Sequence, residues 1–181
     1  MATGIFKLRD QLLGLVQKAW TQPPTYAGVF SGSNLSISYG SQFDLSGGSY
    51  TIEMWFNPIG NYGNYNTVIA QRGSNCSWEI YFTPTNGYMG FYNGTLYSST
   101  ATPIANAWNH IAAVYDGTNI NLYLNGTRVL VNSITNTNYT NSVYIGGTAS
   151  GEYCYGQLSN IRVVKGTAVY TGATYTVPKA T

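Results

Sequence analysis

The spacing of apolar positions changes once along the chain. Over residues 5–20, Ile5, Leu8, Leu12, Leu15 and Ala19 recur three and four apart, and Phe6, Leu13 and Trp20 recur every seven. That spacing predicts an α-helix with one broad apolar seam. Gly14 weakens its middle. Pro23 and Pro24 stop it, because proline lacks the N–H a helix needs, and they stiffen the spacer of residues 21–25. The seam has three destinations: the chain's own body, another subunit or protein, or a membrane surface. A membrane-surface helix carries a rich Lys/Arg face, which is missing here. The breadth of the seam and the spacer favour docking into another subunit or protein. Residues 1–22 are therefore expected to form an amphipathic anchor helix and linker. Residues 23–181 form the body.

From Tyr26 onward the period falls to two, the rhythm of strands. In Tyr50–Asn57, Tyr50, Ile52, Met54 and Phe56 are expected to face a core, with Thr51, Glu53, Trp55 and Asn57 on the other side. In Trp78–Phe82, Trp78, Ile80 and Phe82 share one face, and Glu79 and Tyr81 the other. Asp116-Gly117 and Asn125-Gly126 punctuate Trp108–Tyr115, Asn119–Asn125 and Arg128–Val131, where tight hairpins need positive φ. Val143–Ile145 and Gln157–Val164 complete the series. Short strands at roughly ten-residue spacing predict an all-β sandwich or barrel.

Composition narrows the picture. Only 8% of the 181 residues are charged, whereas 44% are hydrophobic, including 17 Tyr, 6 Phe and 4 Trp. The net charge is +2, all of it in residues 1–20 (Lys7, Arg9 and Lys18 against Asp10), so residues 21–181 are neutral overall. Such a body has no dense basic patch and is not a nucleic-acid binder. No apolar run is long enough to cross a membrane. Asp10 and Lys18 interrupt the leading apolar stretch, so it does not read as a secretory signal. Cys76 and Cys154 make neither a disulfide framework nor a metal cluster, and whether they pair is open.

Two kinds of surface chemistry stand out. Glu53, Trp55 and Asn57, with Asn121 and Tyr123 from the neighbouring hairpin, combine aromatic faces with amide and carboxylate groups, the mixture that grips sugars. Tyr62 and Tyr65, in Asn61–Asn66, add two rings at the expected rim. The competing expectation is that Trp55 and Tyr123 pack under a loop or against a neighbouring subunit. His110, the only histidine, falls within a strand and is expected to hydrogen-bond structurally.

Several segments, taken in order, resemble the laminin G-like, concanavalin A-like jelly-roll family: Tyr50–Pro58, Trp108–Gly117, Leu122–Gly126, Tyr144–Gly147 and Gly156–Val164. The resemblance spans about residues 26–178. It implies two antiparallel sheets with loops at the rim, here carrying an N-terminal α-helix. Asn160–Tyr170, followed by Tyr175–Pro178, looks like versions found in tailed-phage virion proteins, including those of marine and cyanobacterial phages. Glucanases of this fold carry a Glu-x-Asp-x-x-Glu triplet on one strand, which is absent. Glu53 and Glu79 stand on separate strands, so no catalytic pair is expected and the chain reads as no enzyme. The resemblance also implies rim Ca²⁺ sites. Asp44 and Asp116 are each accounted for by turns, leaving room for a weak Ca²⁺ site at most and for no other cofactor.

The expected function is a non-enzymatic phage virion protein on the capsid or tail surface. Its helix would contact other virion proteins, its body would be exposed for protein or glycan contact, and the chain is expected to form a homo-oligomer. The alternative is a lectin-like adhesin reading host-surface carbohydrate.

Overall fold

The computed structural model describes residue 24, residues 26–60 and residues 64–178. Ile5, Leu8, Leu12, Leu15, Ala19 and Trp20 of the expected anchor helix, and Tyr62, lie outside the described residues.

Twelve strands follow one another: β1 (Gly28–Ser31), β2 (Leu35–Ile37), β3 (Tyr50–Pro58), β4 (Asn66–Arg72), β5 (Cys76–Phe82), β6 (Met89–Tyr92), β7 (Leu96–Ser98), β8 (Asn109–Tyr115), β9 (Asn119–Leu124), β10 (Thr127–Ser133), β11 (Val143–Ile145) and β12 (Tyr155–Lys165). They form two six-stranded antiparallel sheets, ordered β1-β12-β3-β8-β9-β10 and β2-β11-β4-β5-β6-β7. The predicted two-sheet sandwich is what the chain forms.

The core lies between the sheets, and the period-two pattern fills it. Tyr50, Ile52, Met54 and Phe56 are all fully buried on β3, as are Ile111 and Ala113 on β8. Trp78, Ile80 and Phe82 meet them from β5, where Phe82 stacks on Phe56 with ring centroids 5.0 Å apart. Each such side chain contributes about 1.5–3 kcal/mol by leaving water. Cys76 and Cys154 are both buried as free thiols. At the β9–β10 reversal, Asn125 (φ 50°) and Gly126 (φ 80°) both adopt the left-handed conformation that a two-residue hairpin requires.

A bulge in β12 decides what reaches the outside of the first sheet. Ser159 pairs with Trp55 but Arg162 pairs with Glu53, so Asn160 and Ile161 together oppose Met54. Asn160 absorbs the extra residue with φ 52°. Without it, strict alternation would turn Arg162 toward the core; with it, Arg162 shares a face with Glu53.

Candidate functional site

Of the two expectations for the outer face of the first sheet, a sugar platform or packing under a loop, the second describes Tyr123. After β12 the chain doubles back over that face as a strap spanning residues 166–178. Gly166 N–H donates to Ser49 O, Val169 N–H to Thr51 Oγ1, and Tyr175 N–H to Gly126 O; the Thr51 hydroxyl donates to Thr167 O. Tyr170 and Tyr175 stack in parallel, 3.6 Å apart, over Ala112, Val114 and Tyr123, forming a second small apolar cluster.

This placement corrects the reading of the alternate β3 positions as a surface. Glu53 is 4% exposed and Tyr123 is fully buried. The Glu53 carboxylate accepts hydrogen bonds from Arg162 Nε and, at 2.6 Å, from the Tyr170 hydroxyl. Tyr123 donates its hydroxyl to Gly172 O. Trp55 is half-buried and meets the His110 ring edge-on. Asn57 donates to Gln157, and Asn121 donates to Asp116 while accepting from Arg128. The structure brings Glu53, Trp55 and Tyr123 into one neighbourhood, but beneath the strap. The physical reason is the strap's own composition: Ala168, Tyr170 and Tyr175 need an apolar surface, and this face supplies one.

His110 completes the buried cluster. Its Nδ1 lies 2.7 Å from the Tyr175 hydroxyl and its Nε2 3.5 Å from Glu53. Burial, reinforced by the Arg162 cation, holds its pKa down at about 3, so the ring is neutral at ordinary pH. Its role is structural. Asp44 accepts from Ser46, and Asp116 from the Thr118 and Asn119 N–H groups, so both carboxylates serve turns. Among the described residues, no three His, Cys, Asp or Glu side chains cluster closely enough to hold a metal ion.

The second sheet carries a different outer face. Register places Tyr144, Ala70, Glu79, Tyr92 and Leu96 in one row across five strands, and Thr67, Tyr81, Gly90 and Ser98 in the next. Tyr81 packs against Gly90, where an added Cβ would come within 2.3 Å of the ring's Cζ. Its hydroxyl reaches Ser98 Oγ at 2.8 Å, and Tyr65 packs edge-on against it. Tyr81 thereby floors a pocket of about 150 Å³ walled by Tyr65, Arg72, Glu79, Tyr92, Leu96 and Glu152.

Arg72 organises the polar side of this pocket. Its Nη1 donates to Glu79 at 2.8 Å and to Glu152 at 2.6 Å, and its guanidinium carbon sits 4.8 Å above the Tyr92 ring. Glu79 also accepts from Thr67 at 2.6 Å. Burial pushes the Glu79 carboxyl up, against the pull of Thr67 and Arg72. Arg72 and Glu152 retain partial exposure, 24% and 18% of their side chains, so the polar wall faces solvent while Glu79 supports it from behind.

Of the residues expected to touch sugar, Tyr65 is the one this pocket contains. Part of the rest was traceable. Glu79 and Tyr81 fall on the predicted non-core side of their strand, and Tyr92 and Leu96 flank the Asn93-Gly94 turn. Glu152 sits in a loop with no periodicity, and only the fold brings it to Arg72.

The geometry defines an all-β, concanavalin A-like sandwich with one outer face partly covered by residues 166–178 and a tyrosine-lined polar pocket on the other. The chain belongs to the concanavalin A-like lectin/glucanases superfamily, whose model matches residues 30–168. No curated protein matches the sequence. Among solved structures it resembles a candidate carbohydrate-binding protein from Bacteroides ovatus, with 24% identity and a TM-score of 0.62, covering 78% of this chain and 44% of that one. It also resembles domain 4 of AbnA, a GH43 extracellular arabinanase from Geobacillus stearothermophilus, in complex with arabinotriose. There the identity is 14% and the TM-score 0.58, covering 82% of this chain and 81% of that domain. Trypanosoma rangeli sialidase matches at 12% identity with a TM-score of 0.60, over 81% of this chain and 26% of the sialidase. The chain thus spans less than half of the Bacteroides protein and about a quarter of the sialidase.

These comparisons show the sandwich and the family, and they do not show the resemblance to phage virion proteins. They correct the expectation that the chain is no enzyme. The same sandwich occurs within a sialidase and as a domain of an arabinanase, so enzymes carry this fold. Glu53 and Glu79 do stand on separate strands, as expected, but one of them has an acidic neighbour. Glu79 does not stand alone, because Glu152 joins it on a shared arginine nitrogen. Glu53 and Glu79, for their part, lie on different sheets.

Proposed function

We propose that this chain binds carbohydrate in the pocket between Tyr65, Tyr92 and the Arg72–Glu152 pair. The observation that carries the reading is the combination of tyrosine rings with a fixed, partly exposed carboxylate and guanidinium on one sheet face. Sugar rings offer an apolar C–H face that packs on tyrosine and hydroxyls that pair with charged groups. The family, and the arabinotriose held by the arabinanase domain, support the same reading. Removing the Tyr65 ring is expected to weaken binding at least about tenfold, the effect of roughly 1.4 kcal/mol. Affinity electrophoresis of Tyr65→Ala through gels cast with plant and bacterial polysaccharides measures it, with the melting temperature as the check on folding. Retention equal to that of the unaltered chain refutes the assignment of this pocket.

A second reading concerns placement. The apolar seam of residues 5–19 and the proline spacer support a body displayed on a phage particle by its N-terminal segment. About ten apolar side chains leaving water, at roughly 1.5–3 kcal/mol each before entropy losses, would suffice for stable attachment. Deleting residues 1–22 is then expected to leave the melting temperature of the body unchanged while abolishing its incorporation into particles, assayed by immunoblotting purified virions. Incorporation of the truncated chain at the full level refutes it.

A further inference from the structure

Resting on the carbohydrate reading above, we propose that the pocket accepts a single neutral sugar ring and rejects acidic sugars. The argument begins with charge. Arg72 is the one cation among the described residues lining the pocket, against two carboxylates, Glu79 and Glu152. Recognition of a sialic or uronic acid calls for a guanidinium whose donor fork can meet the sugar carboxylate. Here Nη1 serves both ion pairs and leaves Nε and Nη2 as donors, but the single positive charge, 4.8 Å over the Tyr92 ring, is already outweighed by the two carboxylates it holds. An acidic sugar entering this space meets the partly exposed Glu152 first and would have to displace it from Arg72. Like charges brought together in a half-buried site repel, and among the described residues no other cation lines the pocket to offset that.

A neutral ring meets the opposite situation. Its hydroxyls donate to the outward carboxylate of Glu152, which Arg72 holds in place, while its C–H face rests on Tyr92 or Tyr65. Arg72 is in this sense a positioning residue. The volume sets the number of rings. About 150 Å³ is half the lower end of the range, roughly 300 Å³, that encloses drug-sized ligands. One sugar ring fits, and the remainder of an oligosaccharide extends past the exposed Leu96.

The floor gives an independent handle on the same site. Tyr81 packs in this position only because residue 90 has no side chain. Gly90→Ala lifts that ring into the pocket and alters its shape without changing its charge, whereas Glu152→Gln alters its charge with little change in shape.

The test is an array carrying neutral arabino-, gluco-, galacto- and manno-oligosaccharides beside sialylated and uronic-acid-terminated ones, probed with the full chain and both variants. The expected result is retention on neutral glycans only. Glu152→Gln is expected to lose about tenfold on the neutral glycans and to gain measurable retention on acidic ones, and Gly90→Ala to lose retention on all. Retention of acidic glycans by the unaltered chain as strong as that of neutral ones overturns the charge argument while leaving carbohydrate binding intact. A Glu152→Gln profile identical to the unaltered one overturns it as well. No retention on any glycan overturns the carbohydrate reading itself, and this inference with it.

Discussion

Replacing Glu53 with alanine is expected to lower stability by about 3 kcal/mol, the scale for breaking a buried ion pair and orphaning its partner. Three groups converge on this carboxylate: Arg162 Nε, the Tyr170 hydroxyl and, at 3.5 Å, His110 Nε2. Removing it leaves the Arg162 guanidinium and the strap's Tyr170 phenol without their carboxylate acceptor, which costs more than the hydrogen bonds themselves contributed. For a chain of this size the melting temperature should fall by roughly 6–12 °C. Chemical denaturation of Glu53→Ala gives the free energy directly. The double variant Glu53→Ala with Arg162→Met should recover much of the loss, because no uncompensated charge remains. A Glu53→Ala variant within about 0.5 kcal/mol of the unaltered chain, the range of ordinary surface substitutions, would show that the strap is held without the Glu53 carboxylate.

Acidification below pH 6.5 is expected to cost the body stability through His110. Its folded pKa is held at about 3, against 6.5 in the unfolded chain. Between these values the unfolded state takes up a proton that the folded state refuses. Stability due to His110 is therefore complete above pH 6.5 and is lost as the pH falls toward 3. The slope approaches about 1.4 kcal/mol per pH unit, so by pH 4.5 the loss is on the order of 2–3 kcal/mol. Glu79 works in the opposite sense: its carboxyl is raised above 4.5, so protonating it favours the folded state. Asp44 and Asp116 are lowered, and what they contribute is lost only as the pH drops below the 3.8 of a free aspartate. The difference between the unaltered chain and His110→Gln, measured by denaturation from pH 7 to pH 4.5, isolates the histidine. The variant's curve should be flatter by that amount. Parallel curves would mean that His110 titrates normally and that the cluster admits water.

Both effects arise under the strap, where reading the alternation falls short. Thr51, Glu53, Trp55 and Asn57 point away from the sandwich core as the pattern predicts. A period of two states only that a side chain leaves one face; it does not state what meets it on the other. The covering segment lies about 115 residues downstream of β3, as in the Thr51–Thr167 and Glu53–Tyr170 hydrogen bonds. The bulge at Asn160 was partly legible, since Leu158, Ile161 and Val163 are spaced three and then two apart. Its consequence was not, because turning Arg162 toward Glu53 depends on the register with β3.

By its own local order the sequence determined β3, β5 and β8 to β12, the inward faces of β3 and β5, and the reversals at Asp116-Gly117 and Asn125-Gly126. Alternation, β-branched and aromatic side chains and positive-φ turns act between neighbours in the chain, and they suffice to specify an all-β sandwich or barrel. Tertiary structure decided which outer face stays open. Partly covering one face with residues 166–178, and bringing Tyr65, Arg72, Glu79, Tyr92 and Glu152 together on the other, are pairings across long loops. Their energies come from burial and charge neutralisation, which exist only once both sheets are in place.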